Sequence, residues 1–165
     1  MAATYHLWLR PAGAAYELLG RTIASLAREL GGPVFEPHVT LAGPLHGSEQ
    51  QLLADCQRLS SQLPPFEIVL GQPSHGPDYF RCVFLLVEPT AAIVRANALA
   101  KQLFGLPEDS YMPHLSLVYG TYPESERLRV IGALPPGLRL AFTPGPVDLM
   151  RSTSDDPRDW HIVQP

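Results

Sequence analysis

The sequence predicts an α+β fold made of two related halves that share one cleft. Segments with the 3.6-residue periodicity of amphipathic helices alternate with strand-like segments along all 165 residues. Twice a long helical segment leads into a strand that starts with Pro-His, "EPHVTL" at residues 36–41 and "MPHLSL" at residues 112–117. Prolines are scattered between elements, and no linker interrupts the chain. We therefore expect a single domain over residues 1–165.

Periodicity and boundary residues define the elements of the first half. The opening "TYHLWL" alternates as a half-buried strand does, and Pro11 ends it. Apolar residues spaced by three and four over residues 14–30 predict an amphipathic helix, which "GGP" ends. Ser48, followed three residues later by Gln51, forms a capping box and begins a second helix that extends to about residue 61.

The second half has the same kinds of elements. "PPFEIVLGQP" and "DYFRCVFLLVEP", residues 64–73 and 78–89, predict strands. Thr90 and Gly105 begin and end a third helix. A short helix is expected over residues 124–132, followed by three strand segments, "LRLAF", "PVDLMRS" and "WHIVQ". The polar stretch over residues 151–160 is expected to be a surface loop, with a mobile flap beside the cleft as the alternative.

Net charge and cysteine content narrow the functional classes. A formal charge of −4 argues against the broad basic surface that long nucleic acids require, whereas a small phosphorylated ligand needs only a few local donors. Cys56 and Cys82 are too few for a disulfide framework or a four-thiolate zinc site, so we expect both in the core. The sequence shows neither a long apolar run nor a secretory-type N-terminus. We expect a cytoplasmic protein without a membrane segment, with a monomer as the default.

The repeated motif puts an imidazole and a hydroxyl on one face of each Pro-His strand. Residues i and i+2 of a strand share a face, so His38 lies beside Thr40, and His114 beside Ser116, at a spacing of roughly 7 Å. The intervening apolar residues anchor the opposite face in the core. A single such histidine is most simply explained as a strand residue satisfied by the backbone, but the repetition favours one shared site.

Two imidazoles across a cleft supply the proton transfers that phosphoester cleavage requires. One accepts a proton and the other delivers one, while the two hydroxyls donate to phosphoryl oxygens that gain charge in the transition state. This chemistry needs neither a metal nor a cofactor, and we expect neither. The other four histidines lack zinc-ligand spacing and are expected to be surface or packing residues: His6, His46, His75 and His161.

The segments "HVTL" and "HLSL" resemble the paired H-x-[ST]-x motifs of the 2H phosphoesterase superfamily. Together with "YHLWLRP", they resemble its cyclic phosphodiesterase branch, known from plants and yeast, more than its RNA ligase-like branch. The resemblance implies a bilobal α+β fold with two small antiparallel sheets, each backed by helices, and a central groove. It also implies hydrolysis of ADP-ribose 1″,2″-cyclic phosphate, a by-product of tRNA splicing, to ADP-ribose 1″-phosphate. Nucleoside 2′,3′-cyclic phosphates are further candidate substrates.

The resemblance assigns roles to seven residues. Four are carried over as catalytic: His38, Thr40, His114 and Ser116. Three aromatic residues are carried over as substrate contacts: Trp8, Phe80 and Tyr119.

Each aromatic residue has a structural alternative. Trp8 could stack on a nucleobase or ribose, or pack between the halves. Phe80 could line the groove or belong to the core. Strict strand alternation would turn Tyr119 away from the histidine face, unless the strand bends or bulges near Gly120.

Two other functions stay open. The first is an RNA end-processing 2H phosphoesterase acting on 2′,3′-cyclic phosphates or 2′-5′ linkages, which would need a basic track beside the groove. The second is a nucleotide-binding module without turnover, in which two acid-base motifs would have no evident purpose. The partner that we expect is a small cyclic-phosphate nucleotide.

Overall fold

The computed structural model describes residues 2–165 and confirms the α+β class. The strands are β1 Thr4–Leu9, β2 Val39–Leu45, β3 Ile68–His75, β4 Val83–Val87, β5 His114–Val118, β6 Ala141–Phe142, β7 Asp148–Ser152 and β8 Trp160–Ile162. The helices are α1 Gly13–Leu30, α2 Glu49–Gln62, α3 Ala91–Phe104 and α4 Glu124–Gly132. Short 3₁₀ turns cover Tyr79–Arg81 and Pro157–Asp159.

The strands form two antiparallel groups that join at their centre. The strand order is β6-β3-β4-β5-β2-β1-β7-β8, so β2, which begins directly after His38, and β5, which begins at His114, are adjacent. They are linked through one pair of residues, Val39 opposite Leu115. The two sheets expected from the resemblance are thus continuous at a narrow seam, and the strands that carry the motifs lie on either side of it.

The helices cross over between the halves. Helix α1, which precedes the first motif, packs on β5, whereas α3, which precedes the second, packs on β2. Helix α2 contacts α3 and β7, and α4 contacts β3 and β4. Because strand side chains alternate, the fully buried Val39 and Leu115 belong to the core face, which leaves the motif histidines for the opposite face.

Local signals in the sequence place the helix ends correctly. The hydroxyl of Ser48 accepts the backbone N–H of Gln51 at 3.3 Å, as the capping box predicts, and Thr90 caps α3 in the same way at 3.5 Å. Gly105 ends α3 with φ 63°, a left-handed conformation that glycine adopts without steric cost.

Strand boundaries differ more from expectation. The strand predicted over residues 78–89 begins only at Val83, because the preceding residues form the turn Tyr79–Arg81, in which the N–H of Arg81 is donated to the carbonyl of Asp78. Four other segments are shifted or shortened, to Ile68–His75, Ala141–Phe142, Asp148–Ser152 and Trp160–Ile162.

Cys56 and Cys82 are free and buried, as predicted. Among the described residues, none of the helices is both long and apolar enough to cross a membrane.

Candidate active site

A cavity of about 310 Å³ opens on the face of the sheet opposite the core, at the seam between the two halves. Its lining includes all seven residues singled out in the sequence: Trp8, His38, Thr40, Phe80, His114, Ser116 and Tyr119. The structure therefore brings both motifs and all three aromatic candidates to one place.

The strand register crosses the two motifs. Because β2 and β5 are antiparallel and Val39 lies opposite Leu115, His38 lies across from Ser116, and Thr40 across from His114. Each histidine thus lies opposite the hydroxyl-bearing residue of the other motif, and the two histidines occupy diagonal positions. Diagonal neighbours in a sheet have Cβ atoms within roughly 7–8 Å of each other, which leaves space for one phosphoryl group between the rings.

Both imidazoles are held by the backbone in the same way. Nδ1 of His38 lies 2.7 Å from the carbonyl oxygen of Glu36, and Nδ1 of His114 lies 3.0 Å from that of Met112. A carbonyl oxygen only accepts hydrogen bonds, so Nδ1 carries the proton in each ring. Nε2 is left in both cases as the nitrogen that can exchange a proton with a ligand.

Burial favours the neutral form of both imidazoles in the free protein. Burial lowers the pKa of His38 to about 4, opposed by the hydrogen bond to Glu36 and reinforced by the neighbouring His114, His6 and Arg10. The pKa of His114 is also lowered, mainly by burial and further by the positive charge of Arg81. The two rings have the same tautomer, but His38 is the more strongly desolvated.

Comparison with known proteins identifies the family. Residues 21–156, most of the chain, match the profile described as the 2′-5′ RNA ligase superfamily. The chain belongs to this superfamily, the 2H phosphoesterases. The resemblance inferred from "HVTL" and "HLSL" is thereby confirmed.

Individual relatives of the superfamily agree with this assignment. A cyclic phosphodiesterase of Arabidopsis thaliana is 29% identical over 124 residues, which cover 74% of this chain and 68% of the relative. Escherichia coli LigT in its apo form superimposes with a TM-score of 0.70 at 15% identity, covering 98% of this chain and 94% of LigT. LigT complexed with 3′-AMP gives a TM-score of 0.63 at 14% identity, over 99% of this chain and 96% of LigT. At such identities the LigT structures support the fold.

Within this superfamily fold, Trp8 packs on a catalytic candidate. Its indole stacks on the imidazole of His38, with ring centroids 3.6 Å apart and an angle of 10° between the planes. Only 3% of Trp8 is exposed, so the indole has little free surface on which a nucleobase could stack. This geometry favours a role of Trp8 in orienting His38. Because Trp8 also lines the cavity, its contact with a substrate stays a prediction.

Tyr119 reaches the cavity through a register shift in β5. Phe84 pairs with Ser116, but the preceding Val83 pairs with Val118, so Leu117 is an extra residue on β5, as at a β-bulge. The extra residue reverses the alternation and turns Tyr119 to the groove face. The sequence predicted that Tyr119 could face the histidines only if the strand bends or bulges near Gly120. The irregularity lies at Leu117, three residues before this glycine. Tyr119 is 4% exposed, and burial raises its pKa.

Phe80 is the exposed aromatic residue of the cavity. It lies on the turn Tyr79–Arg81 instead of on a strand, and 37% of it is exposed, which excludes the core alternative. Its ring centroid lies 5.2 Å from that of Tyr119. Its carbonyl oxygen accepts the hydroxyl of Ser116 at 2.8 Å, so the turn is tied directly to the second motif.

Sequence reasoning missed Trp160 as a cavity residue. Its ring lies 6.0 Å from Trp8, 5.9 Å from Phe80 and 5.8 Å from Tyr119, so it contacts aromatic residues of both halves. Its Nε1 donates to the carbonyl of Ser154 in the loop between β7 and β8. The segment over residues 151–160, expected to be a surface loop, forms one wall of the cavity.

A third imidazole, His6, also lines the cavity. It shares a strand face with Trp8, which was the one signal in the sequence that could have identified it. Burial lowers its pKa. Over residues 2–165, the structure has no cluster of three or more His, Cys, Asp or Glu side chains that could hold a metal ion.

Tyr111 links the segments that carry the two motifs through a hydrogen bond. Its hydroxyl donates to the carbonyl oxygen of Thr40 at 2.8 Å. Because Tyr111 lies three residues before His114, this bond fixes the segment leading into β5 against β2 and supplements the seam at Val39 and Leu115.

Proposed function

We propose that this protein hydrolyses cyclic phosphodiesters of nucleotides without a metal ion. ADP-ribose 1″,2″-cyclic phosphate is its proposed substrate, with nucleoside 2′,3′-cyclic phosphates as further substrates. The observation that carries this proposal is the crossed arrangement of two backbone-anchored imidazoles and two hydroxyls at one cavity. The name of the Arabidopsis relative, cyclic phosphodiesterase, supports the reaction class. The complex of LigT with 3′-AMP supports a nucleotide phosphate as the ligand.

In the proposed reaction, one imidazole activates water and the other protonates the leaving oxygen. Nε2 of His38 accepts a proton from water as the water oxygen bonds to phosphorus. The bond between phosphorus and one ribose oxygen breaks, and Nε2 of a protonated His114 gives that oxygen its proton. The product is a phosphomonoester with a free ribose hydroxyl. We assign His38 as the base because its pKa is lowered to about 4, which keeps it unprotonated near neutral pH.

The two hydroxyls are proposed to stabilise the charge on the phosphoryl oxygens. The Thr40 side chain lines the cavity across from His114. The Ser116 hydroxyl donates to the carbonyl of Phe80 in the free protein, so it must turn towards a bound phosphate. Phosphate binding is therefore coupled to the turn that carries Phe80, whose exposed ring is the surface on which a nucleobase would stack.

A second candidate function is RNA end processing, favoured by the family description itself, 2′-5′ RNA ligase superfamily. A net charge of −4 disfavours it because an RNA strand needs a basic track beside the groove.

One assay separates these functions. The protein is incubated in excess EDTA with ADP-ribose 1″,2″-cyclic phosphate, with adenosine 2′,3′-cyclic phosphate, and with short RNAs that carry a 2′,3′-cyclic end or a 2′-5′ linkage. Products are resolved by chromatography, and the double variant His38→Ala/His114→Ala controls for contaminating activity. We expect ADP-ribose 1″-phosphate as the main product. Turnover of the RNAs alone would support end processing, binding without turnover would support a binding module, and activity restored only by a divalent cation would contradict metal-independent catalysis.

A further inference from the structure

Two opposite sides of the cavity, its banks, carry opposite charges. Among the described residues that line it, the lysine, arginine and carboxylate side chains comprise Arg81 on one bank and Asp155 on the other. Arg81 belongs to the turn Tyr79–Arg81 beside β4, and Asp155 belongs to the loop between β7 and β8. Burial lowers the pKa of the three histidines in the lining, His6, His38 and His114, so none of them carries a permanent charge. Arg81 is thus the one fixed positive charge that a multiply charged substrate meets there.

Arg81 is free to exchange its present partner for a ligand. Its guanidinium pairs with Asp78 of the same turn, and the two side chains are 48% and 59% exposed. An ion pair this exposed contributes little to stability, because water screens both charges. The guanidinium has five N–H donors, and a phosphate can accept two of them at once.

The position of Arg81 suits a phosphate next to the reacting one. Arg81 directly follows Phe80, whose carbonyl holds the hydroxyl of Ser116. Its charge reaches His114 strongly enough to contribute to the lowering of that residue's pKa. One bank of the cavity therefore holds the second motif, the exposed ring of Phe80 and the guanidinium of Arg81 next to one another.

We propose that Arg81 binds a second, non-reacting phosphate of the substrate, while Asp155 repels that phosphate from the opposite bank. The charge pair then sets the direction in which the substrate lies and favours cyclic phosphates that carry a diphosphate arm over cyclic mononucleotides. This inference rests on the proposed function and defines its substrate class. In ADP-ribose 1″,2″-cyclic phosphate, the second phosphate is the diphosphate that joins the two riboses.

The test compares Arg81→Gln with Arg58→Gln on two substrates. Arg58 is a matched control because its exposed guanidinium forms an ion pair with Asp55 at the same three-residue spacing, on helix α2 and outside the cavity. In Arg81→Gln, we expect kcat/KM to fall about 10- to 100-fold for ADP-ribose 1″,2″-cyclic phosphate, as expected for loss of a charged hydrogen bond. For adenosine 2′,3′-cyclic phosphate, the change should stay below about threefold. Arg58→Gln should change neither value.

Two further variants test the direction of binding. Asp78→Asn should raise kcat/KM for the diphosphate substrate because it removes the competing carboxylate, and Asp155→Asn should reduce the preference for that substrate. An equal loss on both substrates in Arg81→Gln would overturn the proposal and assign Arg81 to the reacting phosphate. An unchanged kcat/KM on both substrates would also overturn the proposal, because Arg81 would then form only a surface ion pair with Asp78.

Calorimetry distinguishes failure of this inference from failure of the proposed function. If the wild-type protein turns over neither substrate, the proposed function is wrong, but the binding of ADP-ribose and of AMP can still be measured. Weaker binding of ADP-ribose alone by Arg81→Gln would support the second-phosphate contact. Unchanged binding of ADP-ribose would overturn it.

Discussion

The indole of Trp8 lies flat on the imidazole of His38, with 3.6 Å between the ring centroids. Trp8 is on β1 and His38 directly precedes β2. The residue opposite Trp8 on β2 is Thr40, so the stack is a diagonal contact between the two neighbouring segments. The carbonyl of Glu36 holds Nδ1 of the same imidazole. Stacking fixes the plane of the ring and the hydrogen bond fixes its rotation, so Nε2 has one direction available.

Replacing Trp8 with Ala should reduce both stability and catalysis. Loss of a buried tryptophan costs about 3–5 kcal/mol of unfolding free energy. The freed imidazole should lower kcat by about tenfold, because misorientation of a proton-transfer group slows the chemical step. Trp8→Phe should keep most of kcat. The control is Phe142→Ala, which removes a buried aromatic ring on β6, and cyclic phosphate hydrolysis would be measured beside urea unfolding. An equal loss of kcat in Phe142→Ala would contradict a specific role of Trp8 in orienting His38.

Replacement of either motif histidine should nearly abolish turnover without unfolding the protein. We expect His38→Ala or His114→Ala to lower kcat by about 10²- to 10⁴-fold, and the double variant to lose much less than the product of the two factors. A nucleoside 4-nitrophenyl phosphodiester has a leaving group that needs little protonation, so His114→Ala should be much less impaired on it than His38→Ala. The reverse order would exchange the acid and base roles.

The two hydroxyl variants should differ in kind. Thr40→Ala and Ser116→Ala should each lower kcat by on the order of 10 to 10³, because each removes a donor to the phosphoryl group. Ser116→Ala should also raise KM because it releases the carbonyl of Phe80 and loosens the turn that carries this ring. Steady-state kinetics on cyclic phosphates would separate the two parameters, and the same KM in both variants would argue against coupling to the turn.

The pH dependence of kcat/KM should be bell-shaped with an acidic optimum. The proposed reaction needs His38 unprotonated, which holds at a pH above its pKa of about 4, and His114 protonated, which requires a pH below its lowered pKa. The maximum should therefore lie between about pH 4 and the usual histidine pKa of 6.5. The kcat profile should shift to higher pH because bound phosphate favours a protonated imidazole. A kcat/KM optimum above pH 8 would show that other groups control the reaction.

Stability should fall as the pH falls from 6.5 towards 4. The pKa of His38 is about 4 in the folded protein and near 6.5 in the unfolded chain. Above 6.5 neither state is protonated, whereas below it the unfolded state takes up a proton that the folded state does not, and the free energy of unfolding decreases. Urea unfolding at about pH 7.5 and about pH 5 should show a smaller pH effect in His38→Gln than in the wild type. The exposed His161→Gln should behave like the wild type.

The sequence predicted those parts of the site that depend on local spacing. Strand side chains alternate with a period of two residues, so the residues next to His38 and His114 are enough to predict which groups share a face with each histidine. Tyr119 and Trp8 could not be placed in this way. Tyr119 faces the cavity because β5 gains one residue against β4, and Trp8 meets His38 diagonally across a strand pair. Both depend on pairing between distant segments, which local periodicity does not contain.

Contacts between distant segments also explain why the sequence did not place Phe80 and Trp160 correctly at the edge of the cavity. The neighbours of Phe80 favour β structure and predict a strand there, but the hydrogen bond between its carbonyl and Ser116 holds Phe80 in a turn. Trp160 lies on a three-residue strand at the sheet edge, and only the strand order shows that it reaches both halves.

The crossover of α1 and α3 makes each half dependent on the other for folding. The β3–β6 segment, residues 68–142, contains four strands of one half, but the helix that covers β5 comes from residues 13–30. This segment also supplies α3, which covers β2 of the other half. Separated fragments would each expose an apolar sheet face, and the intact chain should lose both halves in one cooperative transition. The cavity is lined by residues of both halves, so it is complete only when both halves have folded.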